Sequence, residues 1–163
     1  MFSLYNILMI NNDEIRFEHY NGMHVQQDKK LLQTIKLMLL TRNMDLNITN
    51  YLDEDSDIFF MYKNNKLAGF AWITICKELD MCELSWFVSI QKRVAGLESK
   101  ALLDHVINYC KKNGIHELVF NCIDSSWGRI KDKKKLFEKF GYNLNNDNDF
   151  DLCINTEDNN LTI

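Results

Sequence analysis

The chain has 163 residues, of which 46% are hydrophobic and 26% are charged. This composition is typical of one folded domain with a core, so we expect a single domain over residues 1–163 rather than a disordered chain. The formal net charge of −4 argues against general affinity for nucleic acid, because phosphate backbones attract basic surfaces.

The first predicted elements are two apolar segments, Ser3–Ile10 and Glu14–Tyr20, separated by an Asn-Asn-Asp turn. They predict either a hairpin or two loosely joined strands. Asp28 then stands where it can cap a helix. The apolar residues of that helix recur at helical spacing: Leu31, Leu32, Ile35, Met38 and Leu39. A second short helix is expected over Asp45–Leu52.

Three strands are predicted in the middle of the chain. Asp57–Lys63 and Leu67–Cys76 flank Asn64-Asn65-Lys66, which is a hairpin signal. Met81–Ser89 follows as the third strand. After a loop, Leu97–Lys112 carries apolar residues on one face and predicts an amphipathic helix, which Gly114 ends.

The last third of the chain predicts a buried strand at Glu117–Cys122 and a short helix at Lys131–Phe140. Leu144 and Phe150–Ile154 predict a final hairpin. The order of elements gives an α/β fold, or α+β with a mixed sheet, of about six to seven strands flanked by about four helices. Residues 81–122 are expected to form a right-handed parallel crossover.

The five cysteines are scattered, and none forms a CxxC pair. We therefore expect neither a disulfide framework nor a zinc site, and we expect a reducing, cytoplasmic compartment. Cys82, Cys110 and Cys122 fall on apolar faces and are interpreted as small buried hydrophobic residues. No membrane association is expected, because no apolar run reaches the ~20 residues that span a bilayer, and Met1–Ile10 lacks the basic residues of a signal peptide.

Two segments carry a recognisable pattern. Val88 ends a predicted strand, and Arg93, Gly96 and Glu98 follow at the spacing of [QR]-x-x-G-x-[GA]; the segment Leu136–Tyr142 reads LFEKFGY. These segments, in this order and with a helix and a strand between them, resemble the GNAT family of acyltransferases. The resemblance runs from Asp57 to Tyr142.

The resemblance implies acetyl-CoA as co-substrate, an amine as acceptor and direct attack of the amine on the thioester. A helix N-terminus with free N–H groups suits the cofactor's pyrophosphate, and glycine lets the backbone approach it. The implied cofactor-binding residues are Phe87, Val88, Ser89, Arg93, Val94, Ala95, Gly96, Leu97, Glu98, Ser99 and Ser125.

Glu83 is the candidate for the base that accepts the amine's proton, directly or through water. The alternative is a solvated strand carboxylate without a catalytic role. Counting along the motif places the family's glutamate at Cys82, so Glu83 qualifies only if a β-bulge shifts the strand. Asp80 and Asp124 are weaker candidates for the same role.

Two residues depart from the family pattern. Glu98 replaces a small residue and puts a carboxylate where the cofactor's phosphates are expected, and Phe137 replaces the tyrosine that protonates the leaving thiolate in many members. The alternative function is therefore a catalytically degenerate module that binds acyl-CoA or a protein partner. The acceptor, the acyl-chain preference and the oligomeric state stay open, although the family makes a homodimer one expectation.

Overall fold

The computed structural model describes residues 6–10, 13–41, 47–89, 96–121, 130–145 and 151–157. Eight strands and four α-helices lie in these ranges. The strands are β1 (Asn6–Ile10), β2 (Asp13–Asn21), β3 (Ser56–Lys63), β4 (Lys66–Cys76), β5 (Met81–Ser89), β6 (Glu117–Asn121), β7 (Leu144–Asn145) and β8 (Asp151–Asn155). The helices are α1 (Gly22–Gln27), α2 (Lys29–Leu40), α3 (Leu97–Lys112) and α4 (Ile130–Lys139). None of the described helices is long and apolar enough to cross a bilayer.

The strands form one mixed sheet in the order β1-β2-β3-β4-β5-β6-β8-β7. Neighbouring strands run antiparallel except β5 and β6, which are parallel and joined through α3. The predicted fold class and the predicted parallel unit are confirmed. The described sheet has one strand more than the six to seven expected, and the shortest, β7, contributes two residues.

The sheet separates two apolar clusters, so the domain has three layers. On one face, α3 buries Leu102, Val106 and Ile107 against the sheet, and Phe137 of α4 joins the same cluster. On the other face, Ile35 and Leu39 of α2 pack with Val25 of α1 against the sheet. We call these the α3 face and the α1–α2 face.

Local chemistry explains where most elements begin and end. The Asp28 side chain accepts hydrogen bonds from the Lys30 and Leu31 N–H groups at 2.8 and 3.1 Å, as predicted for a cap. Asn64 and Asn65 adopt left-handed φ angles of 48° and 63°, the pattern that a tight two-residue hairpin requires. Gly114, at φ 70°, ends α3, and the next N–H, of Ile115, bonds the Cys110 carbonyl at 2.9 Å.

Two elements differ from the prediction. Residues 48–51 form a 3-10 turn, Ile48–Tyr51, where a short helix over Asp45–Leu52 was expected, and residues 42–46 lie outside the described ranges. Helix α1 was not predicted. A Cβ at its first residue, Gly22, would lie 2.5 Å from the Asp53 carbonyl oxygen and 2.6 Å from the Ser56 Cβ. Glycine is therefore required there by a tertiary contact.

Candidate active site

Strand β5 leaves its neighbour β6 half-way along its length. The parallel ladder pairs Met81–Glu83 with Glu117–Val119 and ends there within the described residues. Beyond this point β5 continues to Ser89 against β4, and β6 continues to Asn121 against β8. We call the place where β5 and β6 cease to pair the β5–β6 opening.

Beyond Glu83, β5 has a strand neighbour among the described residues only on its β4 side. In an antiparallel pair, alternate residues direct both their N–H and C=O groups away from the partner strand. Between Trp86 and Ser89, every second residue of β5 therefore directs these groups away from β4, toward the side that β6 has left. Such an edge can pair with an extended ligand as a further strand would.

A β-bulge lies beside the opening. Trp72 of β4 pairs with Trp86 of β5, whereas the next residue, Ile73, pairs with Leu84, so Ser85 is the extra residue. The Ser85 and Thr74 hydroxyl oxygens are 3.1 Å apart, which places the Ser85 side chain on the face of Thr74. The bulge therefore reverses the alternation of faces along β5.

The reversal decides which face Glu83 occupies. Glu83 pairs with Thr74 across the ladder, and paired residues point to the same face of a sheet. Its neighbours Cys82 and Leu84 are buried on the α3 face. Glu83 is exposed on the α1–α2 face, at the last rung before the opening. The bulge that its predicted role requires is present, and the role itself stays a prediction.

Seven residues, 90–96, separate the end of β5 from the start of α3. Gly96 precedes its first turn with φ −90° and ψ 158°, and no side chain among the described residues caps this terminus. Leu97 is exposed and Ser99 is buried at 2% exposure. The N-terminus of α3 differs in this respect from the N-termini of α1 and α2, which are capped by the side chains of Asn21 and Asp28.

Glu98, in the first turn of α3, is paired with a lysine. Its Oε1 atom lies 2.5 Å from Nζ of Lys63, at the end of β3, and Asp13 contacts the same Nζ at 2.9 Å. These hydrogen bonds, first to Glu98 and then to Asp13, raise the pKa of Lys63 to about 12, so the ammonium stays charged at neutral pH. The carboxylate that departs from the family pattern is thus neutralised.

The predicted cofactor residues divide between described and undescribed parts of the chain. Val88 is buried on the α1–α2 face, and Phe87 packs against the cluster of the α3 face. Ser89 ends β5 opposite Gly69. Outside the described ranges lie Arg93, Val94, Ala95 and Ser125.

Phe137 belongs to the core. It is 4% exposed, and its ring centroid lies 4.6 Å from that of Phe120 on β6 and 6.4 Å from that of Tyr142. Tyr142 in turn donates to Asp104 of α3 at 2.5 Å, and burial raises the pKa of Tyr142 far above its usual value. The Tyr142 hydroxyl is therefore engaged in a hydrogen bond to the Asp104 carboxylate within the fold.

Cys82 and Cys110 serve packing, as the sequence predicted for both. Cys82 and Cys110 are fully buried with their sulfur atoms 3.1 Å apart. Their mutual contact, together with burial, raises the pKa of Cys82 far above its usual value, which excludes it as a ready nucleophile. Cys122 lies outside the described ranges. No group of three potential metal ligands occurs among the described residues.

One polar cluster was not predicted. On the α3 face, Asp57 is 5% exposed, and its carboxylate accepts a hydrogen bond from the Tyr109 hydroxyl at 2.9 Å and lies 2.6 Å from Nε2 of His19. The three residues come from β3, α3 and β2 and are 38 and 52 positions apart. No local pattern in the sequence could have joined them.

No family model matches the chain, and the sequence of no curated protein matches it either. Solved structures do match. A GNAT-family acetyltransferase from Staphylococcus aureus Mu50 is 14% identical with a TM-score of 0.59, covering 87% of this chain and 99% of its own. An aminoglycoside 6'-acetyltransferase type Ii is 12% identical with a TM-score of 0.64, covering 86% and 96%. The ribosomal-protein-S18-alanine N-acetyltransferase from Escherichia coli is 18% identical with a TM-score of 0.55, covering 85% and 90%.

At these identities the likeness establishes the fold, and the fold of this chain is that of the GNAT acetyltransferases. The fold expected from the resemblance at Val88–Glu98 and Leu136–Tyr142 is confirmed. The similarity spans nearly the whole length of each of these three structures.

Proposed function

We propose that this protein is an N-acyltransferase that moves an acetyl group from acetyl-CoA to the amine of an acceptor. The observation that carries the proposal is the β5–β6 opening, where the described β5–β6 ladder ends at Glu83 beside the bulge at Ser85. The shared fold supports it, because neighbours of that fold are acetyltransferases by name.

The cofactor would bind along two features that the chain already offers. The part of β5 beyond the end of its ladder with β6 suits the amide groups of the pantetheine arm, which can pair with a strand as another strand does. The uncapped N-terminus of α3 at Gly96 suits the pyrophosphate, because free N–H groups and the helix dipole favour an anion. Arg93 would add a charge-assisted contact.

Acetyl-CoA supplies a thioester, whose carbonyl carbon the acceptor's amine nitrogen attacks while the carbon–sulfur bond breaks. In this reaction an N–H near Val88 would donate to the carbonyl oxygen as charge develops on it. Glu83 would accept the proton that the amine loses, directly or through a water molecule. The thiolate would take its proton from water or another group, because the Phe137 ring has none to give.

The acceptor would approach on the α1–α2 face, where Glu83, Ser85 and Thr74 lie together. A carboxylate at the edge of the opening and a net charge of −4 favour a cationic acceptor. The acceptors named for two structural neighbours are an aminoglycoside and an alanine of a ribosomal protein. The fold therefore serves small molecules and proteins alike and leaves this choice open.

Calorimetric titration of the full chain with acetyl-CoA and with CoA tests the cofactor site. We expect micromolar binding by the parent protein, lost in Arg93→Ala and in Gly96→Asp. Gly96 has an extended backbone conformation that any residue adopts, and aspartate is a good helix cap. The Gly96→Asp variant should therefore fold at least as well as the parent and fail only by repelling phosphate.

Lys112→Ala is the matched control, because this exposed lysine lies at the opposite end of α3. It should bind acetyl-CoA as the parent does. A panel of amines then tests transfer, and Glu83→Gln should slow acetylation by about 100-fold with unchanged affinity for acetyl-CoA. Absence of binding by the parent would contradict the proposal at its first step.

A binding module without catalysis is the second candidate. The observation that favours it is Phe137, which is buried against Phe120 where a catalytic tyrosine would stand in the family pattern. In that case the parent would bind acetyl-CoA and acetylate no amine of the panel. The Phe137→Tyr variant would then gain transferase activity that the parent lacks.

A further inference from the structure

Three charged side chains form a chain of ion pairs next to the first turn of α3. Asp13, at the start of β2, lies 2.9 Å from the Lys63 ammonium, and the Glu98 carboxylate lies 2.5 Å from it. Asn64 fixes the arrangement, because its side chain donates to Asp13 at 2.7 Å and accepts from the Glu14 N–H at 2.9 Å. The Lys63 side chain is 29% exposed and that of Glu98 only 14%.

The position of Lys63 determines the direction in which Glu98 points. Lys63 ends β3, and the sheet order β3-β4-β5-β6 puts β3 and the β5–β6 opening on opposite sides of β5. Because Glu98 reaches the Lys63 ammonium, its carboxylate is directed toward the β3 side of α3. It therefore points away from the opening that we assign to the cofactor.

Without Lys63, the carboxylate would have a different partner within reach. The N-terminus of a helix attracts a carboxylate of its own first turn, and the N-cap residue of α3, Gly96, has no side chain with which to cap the helix. A free Glu98 would then compete with a phosphate for the same N–H groups and repel it through its charge.

We propose that Lys63 is a positioning residue for acetyl-CoA, which acts through Glu98 by neutralising its carboxylate and holding it on the β3 side of α3. The inference rests on the proposed function, because it assumes that the cofactor's pyrophosphate binds at this helix terminus. Under this inference, Lys63 compensates for the departure of Glu98 from the family pattern, although the two residues are 35 positions apart in the sequence.

A double-mutant cycle on the full chain tests the inference by calorimetric titration with acetyl-CoA. Lys63→Met should weaken binding about tenfold, because it leaves one uncompensated charge near the phosphates. Glu98→Gln should bind as tightly as the parent or a few-fold more tightly. The double variant should return to within about twofold of Glu98→Gln, since the first turn of α3 then carries no carboxylate for Lys63 to neutralise.

Two further measurements separate positioning from general damage. S-acetylpantetheine lacks the pyrophosphate, so its affinity should be the same for the parent and for Lys63→Met. Asp13→Asn is the matched control, because it removes the negative charge of the other partner of Lys63 and leaves the Lys63–Glu98 pair. Lys63→Arg keeps the charge and should keep the affinity, which preserves the test if Lys63→Met fails to fold.

The outcomes distinguish the two proposals. No binding of acetyl-CoA by the parent overturns the proposed function. Binding by the parent that is unchanged in Lys63→Met overturns only the role of Lys63. Weakened binding in Lys63→Met that Glu98→Gln does not rescue would mean that Lys63 contacts the cofactor itself, which also overturns positioning through Glu98.

Discussion

Two carboxylates lie at the two ends of α3 and are satisfied in different ways. Asp57, near the C-terminal half of the helix, is buried and held by the Tyr109 hydroxyl and the His19 ring. Glu98, in the first turn, is held by the ammonium of Lys63 and lies nearer to solvent. Hydrogen bonds inside the core hold the buried side chains in one arrangement. An ion pair at a helix terminus, in contrast, lies where its charges can interact with a bound ligand.

The largest expected effect follows from removing the buried carboxylate. Asp57→Ala should lower the free energy of unfolding by about 3 kcal/mol, because the Tyr109 hydroxyl loses its acceptor in a buried site. Burial raises the pKa of Tyr109 well above its usual value, so the orphaned group remains a donor. Urea denaturation measures the loss.

Glu98→Ala is the counterpart in this comparison. It should shift the urea midpoint less than Asp57→Ala does, because the Lys63 ammonium is partly exposed and keeps Asp13 as a partner. Equal destabilisation by Asp57→Ala and Glu98→Ala would remove the distinction between the two ends of α3.

The second prediction concerns acid at the Asp57 end of the helix. Burial, aided by the charges of His19 and Lys112, lowers the pKa of His105 to about 4. Its ring stacks on Phe17 with centroids 4.3 Å apart. The unfolded chain protonates this histidine near pH 6.5 and the folded chain does not, so stability is complete above pH 6.5 and falls as the pH drops toward 4.

The loss over this range should be about 3 kcal/mol from His105 alone. His105→Phe keeps an aromatic ring against Phe17 and should flatten the acid limb of stability against pH. His116→Gln, at an exposed ring, should leave the limb as steep as in the parent. An unchanged limb in His105→Phe would contradict the assignment.

A third, smaller effect is expected where α3 meets the chain after α4. Tyr142→Phe removes the hydroxyl that donates to Asp104 and should cost about 1 kcal/mol of unfolding free energy. Asp104 retains Lys100, whose Nζ lies 2.6 Å away, so its charge stays compensated. Thermal denaturation measures the change. A gain in stability would show that burial of the hydroxyl destabilises the protein by more than its hydrogen bond to Asp104 stabilises it.

The smallest effect concerns the turn that carries Lys63. Asn65→Gly should raise the unfolding free energy by about 0.5 kcal/mol, because glycine adopts the φ of 63° without steric cost. Asn65→Val should lower it by about 1 kcal/mol, since a β-branched residue resists this conformation. Similar stabilities for the two variants would mean that the turn is not held in the left-handed region.

Features of this fold that depend on residues close together in the sequence were predictable. Features that depend on contacts between residues far apart in the sequence were not. Asp28, the Asn64-Asn65 turn and the α3 boundaries follow from chemistry within a few residues of each other. Helix α1 has only six residues, too few to show a helical period. Its first residue, Gly22, must be glycine because a Cβ there would clash with Asp53 and Ser56, which are more than thirty positions away in the sequence.

The candidate site divides in the same way. The motif at Arg93–Glu98 could be read from the sequence, whereas the partner of Glu98 could not, because Lys63 lies on another strand. The position of the extra residue in β5, Ser85, could not be predicted from the sequence either. A run of Cys-Glu-Leu-Ser-Trp alternates apolar and polar side chains whether or not Ser85 is paired, so the pattern does not identify the bulge.

The bulge lets β5 be one residue longer than the stretch of β4 that it pairs with. Deleting Ser85 would place Leu84 directly before Trp86, and the existing pairs of Trp72 with Trp86 and of Ile73 with Leu84 would then form a regular ladder. Cys82 and Leu84 would stay on the α3 face, and Glu83 would stay on the α1–α2 face. The length of β5 can therefore change by one residue at this position without exchanging the buried and exposed faces of the strand.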